Sequence, residues 1–281
     1  MKETKRQKPE KKVLLFLGVF VFGLLYFEGI SIVLRNAKLT IEAQDQIASN
    51  EMVKNAISQK LFYDSRFFRT VAVKLEYAGH DPAVLRTAYE IATMKGPSNF
   101  ENLFAFGVYV ASRGELDQAE KLLKEAVRRF PTDPRLSANA GVVLYRAGSH
   151  SSALSFLTQA LKMDPGLSYD IYPIIDGYGG TVEELVQITS VQPKSVLSLC
   201  THIVSKHTVD SGPLEPVIRK AFEIEMEPEQ KLRLISCAMN ISLFSLAREE
   251  AEKLRADATF GGKVDQLLEE IDRKERKTKN H

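Results

Sequence analysis

The sequence predicts an all-α protein in which an N-terminal transmembrane helix is followed by an α-solenoid of helix–turn–helix repeats. Three observations support this fold class. Residues 100–133 and 134–167 are two copies of one 34-residue pattern, and a basic segment near the N-terminus precedes a long apolar one. The chain is also rich in Leu and Ala, has no Trp, and has few β-branched runs. A period of this length is typical of helical hairpins that stack on one another to bury a continuous core.

The two copies of the repeat share five identities, and every identical pair is 34 residues apart. Gly107 and Gly141 lie inside the first helix of each unit, where glycine is unfavourable. They therefore predict that the second helix of the unit approaches closely there. Gly114 and Gly148 are placed to end the first helix of each unit, and the two prolines are placed to end the second helix. The alanines lie on the face of the second helix that meets the first. The pairs are Gly107 and Gly141, Gly114 and Gly148, Ala119 and Ala153, Ala126 and Ala160, and Pro131 and Pro165.

This arrangement of residues resembles the tetratricopeptide repeat. Two positions depart from the family's pattern. Leu103 and Ser137 stand where the family usually has an aromatic residue, and the large residue three positions later is Phe106 in one unit but Ala140 in the other. The resemblance implies a stack of helix pairs that binds other proteins.

A degenerate repeat is predicted one period before the clear ones. Ala92 and Pro97 fall in register with the alanine and proline of the later units, whereas Val73 replaces the glycine. We therefore expect repeats over residues 66–168, with the first unit formed by helices at 67–78 and 82–94.

The register is lost after residue 168, but helical spacing continues. Gly177, Gly179 and Gly180 interrupt a short helix pair at 169–193. We interpret residues 169–276 as a degenerate helical-repeat region that continues the stack and ends in a basic tail at 277–281. The further helices are predicted at 195–206, 213–224, 228–241, 243–256 and 262–276.

The N-terminal segment has the features of a membrane anchor. Residues 1–12 hold six Lys and Arg residues, and residues 13–34 are apolar apart from Glu28. A 22-residue helix is about 33 Å long, enough to span a hydrocarbon core of about 30 Å. The basic flank predicts a cytoplasmic N-terminus, a single span and repeats outside the cytoplasm. A cleaved signal peptide is the alternative, although no convincing small-x-small site follows.

Two features near the anchor leave alternatives open. Glu28 is costly deep in lipid, so it either lies near the outer interface or pairs with another membrane helix. Residues 35–65 form a mostly polar helical stretch, which is either a stalk or a helix that packs on the first repeat.

Composition and charge exclude a nucleic-acid-binding role. The net charge is +2, from 38 basic and 36 acidic residues, and the part between the two basic ends is slightly acidic. We interpret the basic residues at 273–279 as a solvated helix end rather than a binding arm.

No catalytic, metal or cofactor site is predicted, and the chain is not expected to be an enzyme. The five histidines lack metal-ligand spacing, and there is neither a phosphate-binding loop nor a nucleophile elbow. Cys200 and Cys237 either form a disulfide in an oxidising compartment or remain buried thiols. The histidines are His80, His150, His202, His207 and His281.

In the family, the first helix of each unit faces a partner-binding groove. Arg and aromatic side chains often dominate the binding energy at such surfaces, which favours Phe104, Tyr145 and the arginines as anchors. Packing of Phe104 against the neighbouring helix is an equally good interpretation. The groove residues predicted from the resemblance are Phe104, Val108, Arg135, Asn139, Tyr145 and Arg146, beside Glu101, Ala111, Ser112, Ala138 and Val142.

Some family members hold a partner's C-terminal carboxylate with Lys, Asn and Arg. Only Asn139 matches that set, and Ala138 stands where a Lys would be, so chaperone C-terminal tails are not expected ligands.

These features predict a membrane-anchored scaffold that binds membrane or envelope proteins outside the cytoplasm, without a small-molecule substrate. The segment from residue 169 to 193 and the helices after it resemble repeat proteins encoded with bacterial surface-polysaccharide export and polymerisation systems. That resemblance suggests a role in envelope assembly. The alternatives are an anchored chaperone-like module that receives secreted proteins near the translocon and, from a different class, an enzyme with a helical-repeat fold.

Overall fold

The structure is a computed structural model that describes residues 64–77, 81–205, 212–255 and 260–279. Within these ranges it contains thirteen α-helices, one 3₁₀ turn and no β-strand, which confirms the all-helical prediction. No helix in the described ranges is long and apolar enough to cross a bilayer. The anchor predicted at 13–34 and the helical stretch before residue 64 lie outside the described residues and stay predictions.

The helices are numbered in chain order. They are α1 Ser65–Tyr77, α2 Pro82–Lys95, α3 Phe100–Ser112, α4 Leu116–Arg129, α5 Pro134–Arg146, α6 His150–Met163, α7 Ser168–Gly177, α8 Val182–Ile188, α9 Pro193–Val204, α10 Glu215–Phe222, α11 Pro228–Asn240, α12 Phe244–Arg255 and α13 Gly261–Lys279, with the 3₁₀ turn Pro165–Leu167 between α6 and α7.

The chain divides into two compact units, Met1–Phe106 and Gly107–His281. In the first unit, α1 packs against α2, and both helices lie where the degenerate repeat was predicted. The ring of Tyr89 stacks on that of Phe106 at 5.9 Å between centroids, and the buried Asn102 amide donates to the Ala92 carbonyl at 3.0 Å. The first unit therefore has an aromatic core and a buried polar link of its own.

The second unit is built from two rows of helices. The first-helix row consists of α5, α7, α9, α11 and α13, and each of these helices packs against the next. In the other row, α6 packs on α5 and α8, while α10 and α12 both pack on α11. The five helices predicted after residue 194 begin and end within three residues of their predicted bounds. The stacking of helix pairs therefore continues beyond the part of the sequence that keeps the 34-residue register.

Several helices of the second unit are followed by a glycine in the left-handed backbone conformation, with a positive φ. Gly114, Gly148 and Gly179 have φ of +77°, +89° and +82°. In each case the next residue donates its backbone N–H to the carbonyl five positions earlier, at 3.0, 2.9 and 2.9 Å. This pattern satisfies carbonyls that the helix end leaves unpaired, and glycine adopts it without steric cost. The predicted helix-ending role of Gly114 and Gly148 is confirmed.

Ser242 occupies the same kind of position without being glycine. Its φ is +65°, and the following residue, Leu243, donates to the Ala238 carbonyl at 2.8 Å. A residue with a Cβ is strained in this conformation.

We expect Ser242→Gly to raise the free energy of unfolding by about 0.5–1 kcal/mol, because it removes that strain. Urea denaturation followed by circular dichroism measures the change. The matched control is Ser155→Gly, the same substitution at an exposed position inside α6, where it is expected to cost about 0.5 kcal/mol. Equal effects of the two substitutions would contradict the prediction.

Cys200 of α9 and Cys237 of α11 form a disulfide, with 5.9 Å between their Cα atoms. The sequence left open whether the two cysteines pair or stay buried as thiols, and the structure decides for the pair. The two cysteines are 37 residues apart along the chain, and α9 and α11 are neighbours in the first-helix row. The disulfide therefore links two adjacent helices of that row covalently.

Candidate functional site

A cleft of about 510 Å³ lies between α3 and α5 in the second unit. Four residues expected to face the groove line it, namely Val108, Ala111, Ser112 and Arg146, and Val143 adds a further apolar side chain. We call it the repeat cleft, because it lies between the first helices of the two clear repeats. Its full lining is Val108, Ala111, Ser112, Gly114, Val143, Arg146 and Ala147.

Arg146 is held at the edge of the repeat cleft by an aromatic ring. Its guanidinium carbon lies 5.6 Å from the ring centroid of Tyr178, which follows α7. Such a cation–π contact leaves the N–H groups of the arginine able to bind a partner's acceptors. Tyr178 is itself half exposed, so an aromatic and a cationic group are presented together.

Tyr145 does not have the open position that a groove anchor requires. Its side chain is 2% exposed, its hydroxyl donates to Glu184 at 2.7 Å, and its ring stacks on that of His150 at 4.2 Å. Burial, and then the hydrogen bond and the charge of Glu184, raise the pKa of the Tyr145 hydroxyl. Because the side chain points into contacts with α6 and α8, Tyr145 joins helices of the stack instead of facing a partner.

The carboxylate of Glu184 on α8 accepts or shares hydrogen bonds with three neighbouring groups. One carboxylate oxygen accepts from Tyr145 and from the backbone N–H of Thr181 at 3.0 Å, and the other lies 3.0 Å from the imidazole of His150. Burial opposes the charged form, but the hydrogen bonds from Thr181, Tyr145 and His150 outweigh it and lower the pKa of Glu184 below its ordinary value of 4.5. The ionised carboxylate therefore stabilises the folded chain.

We expect Glu184→Gln to lower the free energy of unfolding at neutral pH by about 1–2 kcal/mol, because charge-assisted hydrogen bonds become neutral ones. A group whose pKa is lowered on folding contributes stability above its unfolded pKa and loses it as the pH falls through the folded value. The difference from wild type should therefore shrink below pH 4.5. Urea denaturation at pH 7 and at about pH 3.5 tests this. Glu183→Gln, the exposed neighbour, is the control, and a difference independent of pH would count against the carboxylate's role.

The other predicted groove residues are spread over different surroundings. Arg135 and Asn139 are exposed on α5 but do not line the repeat cleft. Ala138 is buried, so it is not available to a partner. Phe104 is half buried and belongs to the first unit, where Glu101 forms an ion pair with Arg69. The structure thus brings Val108 and Arg146 together with Ala111 and Ser112, and it leaves the remaining predicted residues outside the cleft.

A second cleft, of about 480 Å³, was not predicted. It lies over the Cys200–Cys237 disulfide, and we call it the disulfide cleft. The helical spacing of Leu232 and Cys237 was visible in the sequence, but assigning that face required knowing that α9 and α11 are neighbours. The lining residues are Tyr169, Leu197, Cys200, Thr201, Val204, Leu232, Arg233, Ser236, Cys237 and Asn240.

Helix α7 and the residue after it place exposed aromatic side chains at both clefts. Tyr169 is 56% exposed and lines the disulfide cleft, while Tyr178 contacts Arg146 of the repeat cleft. Ile174, one turn before Tyr178, is also exposed. Aromatic residues and arginine are enriched at protein-binding surfaces, so this composition favours a binding face. Among the described residues, no group of three or more His, Cys, Asp or Glu side chains is arranged to hold a metal ion.

Comparison with known proteins relates one segment of the chain to a repeat family. No curated protein gives a significant match. Among solved structures, that of pilF from Pseudomonas aeruginosa aligns with 73% of this chain and 97% of that chain, at 14% identity and a TM-score of 0.35. The sequence profile of the tetratricopeptide repeat matches residues 110–171, a segment that runs from the end of α3 into α7. Residues 110–171 of this helical protein are therefore a match to the tetratricopeptide repeat family.

Proposed function

We propose that this chain is a non-catalytic scaffold that binds other proteins through the exposed face of its first-helix row. We further propose that residues 13–34 anchor it in a membrane, with its repeats outside the cytoplasm. The main support is the repeat cleft, where the exposed Arg146 and apolar Val143, both inside the tetratricopeptide match, lie together with Val108, which comes two residues before it. Tetratricopeptide domains generally bind other proteins, which supports a protein-binding role for this chain.

The chemistry of the repeat cleft supports a protein ligand. Its floor combines small and aliphatic side chains, and its single charged residue, Arg146, is pre-positioned by Tyr178. A fixed arginine loses less side-chain freedom on binding than a mobile one, which favours affinity. Arginine also makes planar, paired hydrogen bonds to carboxylates and backbone carbonyls.

Two observations support a location outside the cytoplasm. The Cys200–Cys237 disulfide is the type of link that persists in oxidising compartments and is rare in the cytosol. The six basic residues before the apolar segment favour an N-terminus that stays in the cytoplasm. A C-terminal fusion to a reporter enzyme that is active only outside the cytoplasm tests this orientation, and an inactive but stably produced fusion would contradict it.

Within this class we propose a role in bacterial envelope assembly, such as the export or polymerisation of surface polysaccharides. The support is the resemblance of the segment after residue 168 to repeat proteins encoded with such systems. The runner-up is a chaperone-like module that receives secreted proteins near the translocon. The identity of the captured partners separates the two, because polysaccharide machinery favours the first and translocon subunits favour the second.

The test is affinity capture of the tagged full-length chain in mild detergent, with an Arg146→Glu variant beside the wild type. Arg146 is exposed, so the charge reversal should leave the fold intact, which a thermal melt checks. We expect specific membrane or envelope proteins to be captured by the wild type and reduced at least about tenfold with the variant. The matched control is Lys121→Glu, a charge reversal on exposed α4 outside both clefts. Equal loss with Lys121→Glu, or no loss with Arg146→Glu, would contradict the assignment of the repeat cleft.

A further inference from the structure

We propose that the disulfide cleft is a second binding site, and that it takes a linear segment of a partner protein in which an apolar side chain is followed or preceded closely by an acidic one. This rests on the proposed scaffold function but concerns a different surface. The disulfide cleft lies on α7, α9 and α11, mostly beyond the residues that match the tetratricopeptide repeat.

The floor of the disulfide cleft is apolar. Leu197 and Val204 of α9 and Leu232 of α11 line it together with the Cys200–Cys237 disulfide. At one edge, Tyr169 of α7 is 56% exposed, which leaves an aromatic ring open to solvent beside that floor. An apolar side chain inserted here would remove the floor and the ring from water together, at about 25 cal/mol for each Å² of apolar surface buried.

The site is held in shape before any ligand arrives. The disulfide links α9 to α11, and both helices also pack against each other in the first-helix row. The neighbouring α7 packs on α9, so the ring of Tyr169 stands on a helix of the same row. Binding to a preformed site avoids the cost of ordering it, so a short segment of few contacts is sufficient for measurable affinity. The volume, about 480 Å³, lies in the range of about 300–1,000 Å³ typical of ligand clefts.

The charge of the lining selects an acidic ligand. Arg233 is the one formally charged residue among the ten that line the disulfide cleft, and it is exposed. Asn240 also lines the cleft; its side-chain oxygen accepts from the ammonium of Lys274 at 2.6 Å, which leaves its amide N–H₂ as a donor. Lys274 also lies 3.6 Å from Glu270. The guanidinium of Arg233 and the amide donor of Asn240 together complement a carboxylate, which arginine binds through two parallel hydrogen bonds.

The polar lining fits an extended backbone. Thr201 and Ser236 also line the cleft and bring hydroxyl groups to it. The Thr201 hydroxyl donates to the Leu197 carbonyl at 2.9 Å and so offers a ligand its acceptor lone pairs, whereas the Ser236 hydroxyl has both donor and acceptor capacity for a peptide backbone. The nearest acidic residues along α7 and α11, Asp170 and Glu229, do not line the cleft. A basic segment would therefore meet no carboxylate within it, and the acidic one is favoured.

The test uses the full-length chain in detergent, immobilised by a tag, to select peptides from a displayed library of random 12-residue sequences. For the wild type we expect enrichment of Asp or Glu within a few positions of Leu, Phe or Tyr. The Arg233→Glu variant should instead enrich Lys or Arg beside the same apolar residues, because reversing the cleft's charge reverses its preference. Anisotropy of a labelled wild-type-selected peptide should show at least about tenfold weaker binding to Arg233→Glu. A Thr201→Tyr variant, which fills the cleft from an exposed position, should weaken that binding to a similar extent.

The matched control is Arg146→Glu, which alters the repeat cleft alone and should leave peptide binding unchanged. The proposal is overturned if Arg233→Glu selects the same peptides as the wild type, if the wild type enriches none, or if Thr201→Tyr binds undiminished. Those results leave the scaffold function standing as long as Arg146→Glu still abolishes partner capture. Loss of capture with Arg233→Glu but not with Arg146→Glu would instead contradict the repeat cleft and support the disulfide cleft.

Discussion

Removing the Cys200–Cys237 disulfide is expected to lower the free energy of unfolding by about 4 kcal/mol. The bridge joins residues 37 apart, and closing a loop of that size restricts the unfolded chain by about 13 cal/mol per kelvin in the chain-entropy treatment. Both cysteines are nearly fully buried between α9 and α11, so replacing them also disturbs packing at the centre of the first-helix row. The free energy of unfolding of a domain is about 5–15 kcal/mol, so this change is large.

The measurement is urea denaturation of the wild type with and without a thiol reductant, beside a Cys200→Ser/Cys237→Ser double variant. The reduced wild type and the double variant should unfold at similar, lower urea concentrations, and the reductant should not affect the double variant. A wild type that keeps its midpoint in reductant, while labelling shows two free thiols, would contradict a stabilising role. The same reductant should weaken peptide binding to the disulfide cleft, because the shape of the cleft depends on α9 and α11 staying in place.

The 34-residue repeat made the local structure predictable where small residues carry the geometry. Gly107 and Gly141 were expected at close helix contacts, and an added Cβ at either would lie under 3 Å from Leu123 or Leu157. The helices after residue 194 were predictable from hydrophobic spacing alone, since that spacing depends on burial and not on a family pattern. What the spacing does not contain is the pairing order of the helices, and both the disulfide and the disulfide cleft depend on that order.

Two residues lie in surroundings that the sequence pattern did not predict. Tyr145 was expected to face a partner, but Glu184 of α8 and His150 of α6 offer its hydroxyl and ring better partners inside the stack. Ser242 follows α11 in a conformation that glycine usually adopts, so the end of this helix was predictable from its apolar spacing but not from a glycine.

The second large effect is expected from Gly141→Ala, which should lower the free energy of unfolding by about 1–2 kcal/mol. A Cβ at this position would lie 2.7 Å from Cγ of Leu157 and 3.1 Å from the carbonyl oxygen of Ala153, so α5 and α6 must separate. Leu157 is fully buried and cannot turn away. Overpacking of this kind costs about 1–3 kcal/mol, while the better helix propensity of alanine returns up to about 1 kcal/mol.

The matched control for Gly141→Ala is Gly177→Ala at the end of α7, where no atom lies within 4 Å of the added Cβ. That substitution is expected to be neutral or slightly stabilising, because only the propensity term applies. Urea denaturation of both variants gives the two free energies, and a cycle that adds Leu157→Ala isolates the steric term. In that cycle, Gly141→Ala should cost less once Leu157 is truncated, since the clash is with its side chain. If Gly141→Ala stabilises the protein as much as Gly177→Ala does, the close packing of α5 on α6 is not what requires glycine in this repeat.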